Sequence, residues 1–286
     1  MRRTWFITGV SGGLGRAMAD AALARGDTVV GTVRNAEQVP AVEALAPGRS
    51  FAELLDLTAG EPAIRSCVES ATARTGRLDV VVNNAGYGLV GAVEEVSDAE
   101  ARAQFETNFF GPLSVLRAVV PQLRAQGSGH VVTVSSAAGL FGSGGLGLYS
   151  ASKFALEGLS ESLHGELAPL GVRVTIVEPG AFRTDWSGRS IAKADRVVDA
   201  YARGGGTRGV IDAMHGNQAG DPARLATAVL AVVDADAPPL RLLLGSGLGD
   251  RVRQKHEGMS AEIDAWRELS DSISFDSDDD NSDGSS

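Results

Sequence analysis

Cysteine, long apolar runs and clustered positive charge are scarce in this sequence of 286 residues, and each absence excludes a class of protein. The single cysteine, Cys67, excludes an internal disulfide and a cysteine-based metal site, and we expect it to be a small core residue. No apolar run approaches the roughly 20 residues that a membrane-spanning helix needs. Arg2 and Arg3 precede only a short strand-like run that ends in glycines, so no signal peptide is expected. We therefore expect a cytoplasmic protein with no membrane partner and no metal site.

Charge is unevenly spread along the chain. The formal net charge is −10, and the segment from Asp271 to Ser286 holds six aspartates and no lysine or arginine. Residues 1–270 are therefore nearly balanced, which argues against a nucleic-acid partner. The same segment is rich in serine as well as aspartate, so residues 271–286 are predicted to form a disordered acidic tail.

Short β-branched runs alternate with helical stretches over most of the chain. Strands are predicted at residues 4–8, 28–33, 51–55, 78–82, 131–134, 172–177 and 240–244. Helices are predicted at residues 16–25, 61–75, 149–170, 221–234 and 248–269, and another begins at a capping box formed by Ser97 and Glu100. This alternation favours an α/β fold of the Rossmann type, doubly wound, with a seven-stranded parallel sheet and helices on both faces. Because no repeat or linker divides the sequence, residues 1–270 are predicted to form one domain.

A glycine-rich turn, residues 9–15, follows the first predicted strand. Glycine lets the backbone approach a diphosphate, and the free N–H groups at the start of a helix favour its negative charge. A glycine cluster by itself is often just a flexible turn that binds no ligand. Here a strand precedes the cluster and an alanine-rich helix follows it, which favours a dinucleotide site.

The end of the second strand bears on which dinucleotide binds. A site for NAD usually places an acid at this point, on the adenosine ribose. This sequence has Val33 and Arg34 instead, and an arginine can pair with the 2′-phosphate of NADP. The alternative is a solvated surface arginine. Arg34 therefore favours NADP(H), with NAD(H) still possible.

Tyr149 and Lys153 are four residues apart, so on a helix their side chains share one face. A tyrosine with its ordinary pKa of about 10 is a poor base at neutral pH. A positive charge nearby lowers that pKa towards the working range, and Lys153 is predicted to do so. Ser136 ends the apolar run 131–134, where its hydroxyl could bond a substrate oxygen. An exposed tyrosine and lysine on a helix surface are the alternative, so the interpretation depends on the rest of the chain.

Two further stretches bear on the site. Asn108 lies in a helix that Gly111-Pro112 is expected to kink, and a buried asparagine needs a bonded partner or a function. Residues 181–220 lack a clean period and follow the carboxyl end of a strand. Because irregular segments of this length are often lids, residues 185–220, which include Trp186, are predicted to cover a substrate.

Taken in order, these motifs resemble the short-chain dehydrogenase/reductase family in its short, single-domain form. The motifs are Thr8-Gly9-Val10-Ser11-Gly12-Gly13-Leu14-Gly15, Asn83-Asn84-Ala85-Gly86, Asn108, Ser136, Tyr149 with Lys153, and Pro179-Gly180. The resemblance covers about residues 3–270. The runs NNAGYG, NFFGPL, YSASKFALEGLSESLHGELAPLGVRVTIVEPGAFRTD and AWRELS look like the 17β-hydroxysteroid dehydrogenase-like branch of this family.

The resemblance implies a catalytic role for four residues. Tyr149 would protonate the carbonyl oxygen in reduction, or act as the base in oxidation. Lys153 would lower the pKa of Tyr149 and bond the nicotinamide ribose. Ser136 would hold the substrate oxygen, and Asn108 would carry a water-linked proton relay behind Lys153.

The resemblance also implies a cofactor site. Around the diphosphate and adenosine it places Thr8, Gly9, Ser11, Gly13, Leu14 and Gly15. Arg34 would take the 2′-phosphate, and Asp56 and Leu57 would contact the adenine. Around the ribose and nicotinamide it places Asn83, Ala85, Gly86, Tyr149, Lys153, Pro179, Gly180 and Thr184. Family members that prefer NADP often have a second basic residue where this chain has Gly12, so the cofactor preference rests mainly on Arg34.

These features together predict an NAD(P)-dependent oxidoreductase, and most simply an NADP(H)-dependent carbonyl reductase or alcohol dehydrogenase. The substrate would be an apolar ketone or secondary alcohol, in a pocket lined by Ser136, Leu140, Phe141, Tyr149, Phe182 and Trp186. Two alternatives are a catalytically silent NADP(H)-binding sensor and a sugar-nucleotide epimerase or dehydratase of the related extended group. The presence of both Tyr149 and Lys153 argues against the first, and the chain length against the second. By resemblance, a homodimer or homotetramer is expected.

Overall fold

A seven-stranded parallel sheet organises the structure, a computed structural model that describes residues 2–188 and 190–274. The strands of the described chain are β1 (Thr4–Ile7), β2 (Thr28–Val33), β3 (Ser50–Leu54), β4 (Val80–Asn83), β5 (Gly88–Val90), β6 (Gly129–Val134), β7 (Val172–Pro179), β8 (Ile191–Lys193) and β9 (Arg241–Leu244). The large sheet has the order β3-β2-β1-β4-β6-β7-β9, and its neighbours are parallel throughout. The strand order reverses between β1 and β4, so the predicted doubly wound Rossmann-type α/β fold is confirmed.

Helices cover both faces of this sheet. Up to residue 234 they are α1 (Gly13–Ala24), α2 (Val39–Glu43), α3 (Glu61–Thr75), α4 (Asp98–Phe105), α5 (Gly111–Gln126), α6 (Gly147–Leu167), α7 (Asp199–Ala202), α8 (Gly206–Met214) and α9 (Pro222–Asp234). Trp5 and Ile7 of β1 pack in one core cluster with α1 and α9, whereas Phe6 between them packs in a second cluster with α3 and α5. Successive strand side chains point to opposite faces, so each strand must be apolar throughout to serve both layers.

Most predicted elements are present with small shifts at their ends. The helix over 61–75 has the predicted bounds, whereas α1 begins at Gly13 rather than at residue 16. The capping box is present, since Ser97 Oγ accepts the N–H of Glu100 and Glu100 Oε2 accepts the N–H of Ser97. Cys67 lies in the second core cluster, as predicted, and burial raises the pKa of its thiol to about 12.

A π-helical turn, Glu106–Phe110, joins α4 to α5. Pro112 has no N–H to donate to the carbonyl four residues earlier, at Asn108, so the regular α-helical pattern gives way before Gly111. The predicted kink at Gly111-Pro112 is therefore a widened turn that lies on the amino-terminal side of these residues. Its consequence is that Asn108 sits within the irregular turn.

Part of the predicted lid has regular structure that the sequence did not indicate. β8 pairs in parallel with β5, and the register places Gly88 opposite Ile191 and Val90 opposite Lys193. The helices α7 and α8 follow β8. A three-residue strand is too short to show a period of two, and the glycines at 204–206 are typical of a loop although α8 begins at Gly206. The expectation of an irregular segment over 181–220 is therefore wrong in these parts.

The described chain divides into two compact units. The first ends at Gly245 and contains both sheets with α1 to α9. The second begins at Ser246 and contains α10 (Leu248–Ala265) and α11 (Arg267–Asp271), so the helix predicted over 248–269 is interrupted at Trp266. The single domain predicted over residues 1–270 stays a prediction. The predicted tail lies largely outside the described residues, and α11 extends to its first residue, Asp271.

Candidate active site

The glycine turn between β1 and α1 has the backbone geometry of an anion site. Gly9 and Gly13 have φ angles of +74° and +60°, in the left-handed region that favours glycine. A Cβ on Gly15 would lie 2.3 Å from the carbonyl oxygen of Gly9, so only glycine lets the turn meet α1 this closely. Gly12, the N-cap residue of α1, has no side chain to occupy the N–H groups of the first helical turn. The turn therefore fits a diphosphate.

Asn84 fastens this turn to the end of β4, although it was not among the site residues predicted from the sequence. Its Nδ2 donates to the carbonyl oxygens of Thr8 at 2.9 Å and of Gly9 at 3.1 Å. In return, Thr8 Oγ1 accepts the N–H groups of Asn84 at 2.9 Å and Ala85 at 3.0 Å. Hydrogen bonds in both directions therefore join the two segments. We call residues 8–15 and 83–86 together the cofactor turn. The doubled asparagine after a buried strand was the available sequence signal.

Asn83 and Thr184, both predicted to contact the cofactor, lie close to the glycine turn. Asn83 is buried, and both its Nδ2 and its Oδ1 have no hydrogen-bond partner within the described residues. A buried amide without partners is costly, so this side chain fits a ligand that brings donors and acceptors. A Cβ on Gly13 would lie 3.8 Å from Thr184 Cβ, which places the start of the lid segment beside the glycine turn.

The residues predicted for the adenosine end lie at the ends of neighbouring strands. Arg34 is exposed directly after β2, and Asp56 follows β3, which pairs with β2. The N–H of Thr58 bonds Asp56 Oδ1 at 2.9 Å and lowers the pKa of that carboxyl, and the nearby charge of Arg34 adds to this effect. The Leu57 side chain belongs to the second core cluster, so its backbone alone is left for an adenine contact.

The remaining predicted cofactor residues contribute mainly backbone. Ser11 is exposed at the tip of the turn, whereas the side chain of Leu14 packs against the first core cluster. Pro179 ends β7, and the N–H of Gly180 donates to the carbonyl oxygen of Leu244 at 2.8 Å. These residues therefore lie at the carboxyl edge of the sheet, as the doubly wound fold requires of a dinucleotide site.

Tyr149 lies in the first turn of α6 and is only 6% exposed. Ser136 follows β6 and caps a short 3₁₀ turn, Ala137–Gly139, where its Oγ accepts the N–H of Ala138 at 3.1 Å. Burial raises the pKa of Tyr149 to about 12, against smaller lowering effects from hydrogen bonding to Ser136 and Trp186. The phenol is therefore protonated at neutral pH and can act as an acid.

Lys153 lies one helical turn after Tyr149, and its ammonium is also buried. Its Nζ donates to the carbonyl oxygen of Val134 at 2.9 Å and lies 5.9 Å from the centroid of the Tyr149 ring. Burial lowers the pKa of Lys153 to about 8, and the charge of Glu157 opposes this shift. Burial outweighs the other effects on the phenol, so the pKa of Tyr149 lies above the working range that we predicted, whereas the lowering effect of Lys153 itself stays a prediction.

Asn108 has the partners that a buried asparagine needs. Its Oδ1 accepts the N–H of Tyr87 at 3.1 Å, and its Nδ2 donates to the carbonyl oxygen of Tyr87 at 2.9 Å and to Ser152 Oγ at 3.3 Å. A Cβ on Gly86 would lie 3.1 Å from Asn108 Oδ1 and 3.7 Å from Lys153 Nζ. Asn108 and Lys153 thus converge on Gly86. We call Asn108, Ser136, Tyr149 and Lys153 the catalytic group.

Trp186, one of the predicted pocket-lining side chains, packs against Tyr149. The two ring centroids are 5.3 Å apart and the rings are tilted by 53°. A Cβ on Gly88 would lie 2.6 Å from Trp186 Cζ2, so glycine at this position makes room for the indole. Phe182 lies against Gly220 and the first core cluster.

Leu140 and Phe141, also predicted to line the pocket, are half-buried directly after the 3₁₀ turn that Ser136 caps. Within the described residues, no group of three or more His, Cys, Asp and Glu side chains is placed to hold a metal ion. None of the helices in this part of the chain has both the length and the apolar character needed to cross a lipid bilayer.

Comparison with known proteins extends the likeness to nearly the whole chain. A family model described as short chain dehydrogenase matches residues 3–195. Oxidoreductase BOA17 of Botryotinia fuckeliana (strain B05.10) is 40% identical over 272 residues, which cover 94% of this chain and 98% of that protein. A 3-ketodihydrosphingosine reductase of Bacteroides thetaiotaomicron is 34% identical over 245 residues, 84% of this chain and 86% of that protein.

Among solved structures, a short-chain dehydrogenase from Streptomyces avermitilis matches with a TM-score of 0.88 at 42% identity. The match covers 96% of this chain and 100% of that chain. The similarity therefore includes the predicted lid and the strand beyond it, β9, and is not limited to the glycine turn.

Proposed function

The chain belongs to the short-chain dehydrogenase family and is an oxidoreductase of alcohol and carbonyl groups, and we propose that it reduces an apolar ketone with NADPH. The observation that carries the proposal is the placement of the catalytic group. A buried, protonated Tyr149 lies between Ser136 and Lys153, at the same sheet edge as the cofactor turn. This arrangement supplies one proton and one oxygen-binding hydroxyl, which are what a carbonyl needs from the protein when it accepts a hydride.

The cofactor turn supports a nicotinamide dinucleotide. When bound, such a cofactor supplies the hydride. Gly9, Gly13 and the first N–H groups of α1 would hold its diphosphate, and the unpartnered amide of Asn83 would meet its ribose side. Arg34, exposed at the end of β2, supports NADP(H) over NAD(H) through its charge on a 2′-phosphate.

The protein's part in the reaction follows from the two buried ionisable groups. Ser136 would hold the substrate oxygen beside the Tyr149 hydroxyl, and Tyr149 would give that oxygen its proton. Lys153, whose buried ammonium has a pKa lowered to about 8, would compensate the charge that develops on the phenol. Asn108 would hold the proton path that converges with Lys153 at Gly86. A phenol that is protonated at neutral pH is the form that donates a proton in reduction.

An apolar, ring-sized substrate is supported by the indole of Trp186, which lies on Tyr149. The relative from Bacteroides thetaiotaomicron is by its name the reductase of a ketone, which supports the direction. We place the chain in the branch similar to 17β-hydroxysteroid dehydrogenases on its sequence runs. We also propose a cytoplasmic homodimer or homotetramer joined by the helices around Asn108 and Tyr149, where Phe110 is 48% exposed.

NADPH and NADH oxidation by the purified protein over a broad panel of ketones and aldehydes tests this function. We expect turnover with NADPH on apolar ketones, and none in Tyr149→Phe. Tight NADPH binding with no turnover on any carbonyl would instead favour the catalytically silent sensor. Faster turnover with NADH than with NADPH would contradict the role proposed for Arg34.

A further inference from the structure

Behind Lys153 lies a buried group of charged side chains that the proposed reaction does not use. Glu157 follows Lys153 by one turn of α6 and is 5% exposed. Glu178, near the end of β7, is fully buried, and Arg241 begins β9. We call Glu157, Glu178 and Arg241 the carboxyl cluster. It lies between the catalytic lysine and the Pro179-Gly180 segment.

The guanidinium of Arg241 bonds both acids of this cluster and a third acid outside it. Arg241 Nη1 bonds Glu178 Oε1 at 3.1 Å and also bonds Glu157 Oε2. The other nitrogen, Nη2, bonds the exposed Glu161 Oε2 at 2.8 Å. With every acid ionised, three carboxylates would share one arginine, and two of those carboxylates would be buried side by side. Like charges in this position disfavour full ionisation.

The cluster and the neighbouring Ser135 also contain polar atoms without partners. Glu157 Oε1, Glu178 Oε2 and Ser135 Oγ are buried and make no hydrogen bond within the described residues. A Cβ on Gly139 would lie 2.6 Å from Ser135 Oγ and 3.0 Å from Glu157 Oε1, so the 3₁₀ turn closes tightly over these atoms. A proton on one carboxyl would give the second a donor and would remove one buried negative charge.

The electrostatics agree with this geometry. Burial raises the pKa of Glu178 to about 7, and the neighbouring Glu157 adds to the shift against the opposing effect of Arg241. Glu157 is also the group that opposes the lowering of the Lys153 pKa. The same carboxyl group therefore acts on both the cluster and the catalytic lysine.

We propose that Glu157 and Glu178 share one proton near neutral pH. When the pair loses this shared proton, its added negative charge makes the Lys153 ammonium keep its own proton more tightly. The groups that face the pair are Lys153 and Glu161 from α6, Arg241 from β9 and Ser135 from the end of β6. Glu157 and Glu178 are positioning residues, since they act through Lys153. The kinetic consequence rests on the proposed function, whereas the shared proton does not.

The shared proton can be tested on the protein without any turnover. Infrared difference spectra between about pH 6 and about pH 9 should show a buried carboxylic-acid carbonyl band that is lost as the pH rises. We expect the band to be absent from Glu178→Gln and from Glu157→Gln. Glu161→Gln is the matched control, because Glu161 shares the helix and Arg241 but its side chain is 63% exposed, and it should keep the band.

The effect on Lys153 is tested by the pH profile of kcat/KM for ketone reduction. In the wild-type protein, the pair gains negative charge as the pH rises, and this charge delays the loss of the Lys153 proton. Glu178→Gln removes this gain in negative charge. The alkaline limb of the kcat/KM profile should therefore move to lower pH by about one unit. Glu161→Gln should leave the limb in place.

Two results would overturn the proposal. One is the absence of the acid band from the wild-type protein at about pH 6, or its persistence in both Gln variants of the pair. The other is a Glu178→Gln profile that superimposes on the wild-type profile. If Glu178→Gln does not fold, Glu157→Gln and the wild-type spectra still decide. If the wild-type protein turns over no carbonyl, the proposed function fails while the infrared test of the pair remains valid.

Discussion

The cofactor turn and the catalytic group lie at the same edge of one sheet, but they depend on different properties of the chain. The cofactor turn is built from backbone: positive-φ glycines, helical N–H groups and carbonyl oxygens held by Asn84. The catalytic group is built from side chains, and two of them are buried ionisable groups: burial raises the pKa of Tyr149 to about 12 and lowers the pKa of Lys153 to about 8. The first region is therefore sensitive to shape, and the second to charge and pH.

Removing the phenolic oxygen should have the largest effect, and it should be confined to the catalytic group. In Tyr149→Phe we expect kcat for ketone reduction to fall roughly a thousandfold, because the proton donor is lost. NADPH affinity, measured by titration of NADPH fluorescence, should stay within about threefold, since the cofactor turn is unchanged. Tyr201→Phe, whose hydroxyl bonds the exposed Glu94, should keep wild-type kcat. An equal loss in both variants would contradict the assignment.

A methyl group in the cofactor turn should have the opposite pattern. In Gly15→Ala the new Cβ would meet the Gly9 carbonyl oxygen at 2.3 Å and Asn84 Nδ2 at 2.4 Å, so the turn must open. We expect NADPH to bind about a hundredfold more weakly. Gly12→Ala is the control, because Gly12 has an extended φ of −174° and no atom within 4 Å of the added Cβ. If Gly12→Ala weakens binding as much, the turn is not limited by space at Gly15.

Arg34, directly after β2 and outside the cofactor turn, tests the effect of charge on cofactor binding separately from the effect of shape. In Arg34→Gln we expect NADPH to bind about tenfold more weakly, because an exposed charge-assisted hydrogen bond to the 2′-phosphate is lost. NADH affinity should not change, since NADH has no phosphate at that position. Equal effects on the two cofactors would show that Arg34 does not read the 2′-phosphate.

The smallest expected effect is a difference in pH dependence between the two regions. Lys153 is protonated below its pKa of about 8 and loses its charge as the pH rises through that value. Because the proposed reduction requires protonated Lys153, kcat should fall about fourfold between about pH 7 and about pH 8.5. NADPH affinity should change less over the same range, because the cofactor turn offers backbone N–H groups rather than ionisable side chains to the diphosphate. A kcat that rises over this range would contradict the reduction mechanism.

The difference between the regions also explains what could be predicted from the sequence. The strands, the glycine turn and the positions of Tyr149, Lys153 and Ser136 were predictable, because period and spacing express them directly. The direction in which the pKa of Tyr149 shifts was not predictable, because it depends on how deeply the phenol is buried. Glu157 and Glu178 were missed for the same reason, since each looks like an ordinary acid in the sequence. The β5–β8 pair was missed because its strands are three residues long.

The packing of Trp186 on Tyr149 also has an optical consequence. The protein contains three tryptophans: Trp5 is fully buried in the core and Trp266 is 67% exposed. Trp186 is the one of the three whose ring packs on the Tyr149 ring, at the site where we propose that the substrate binds. We therefore expect the emission of one fluorophore, Trp186, to change when a substrate analogue displaces the indole. Under the proposed function, this emission would report pocket occupancy and could rank ligands before any of them is known to react.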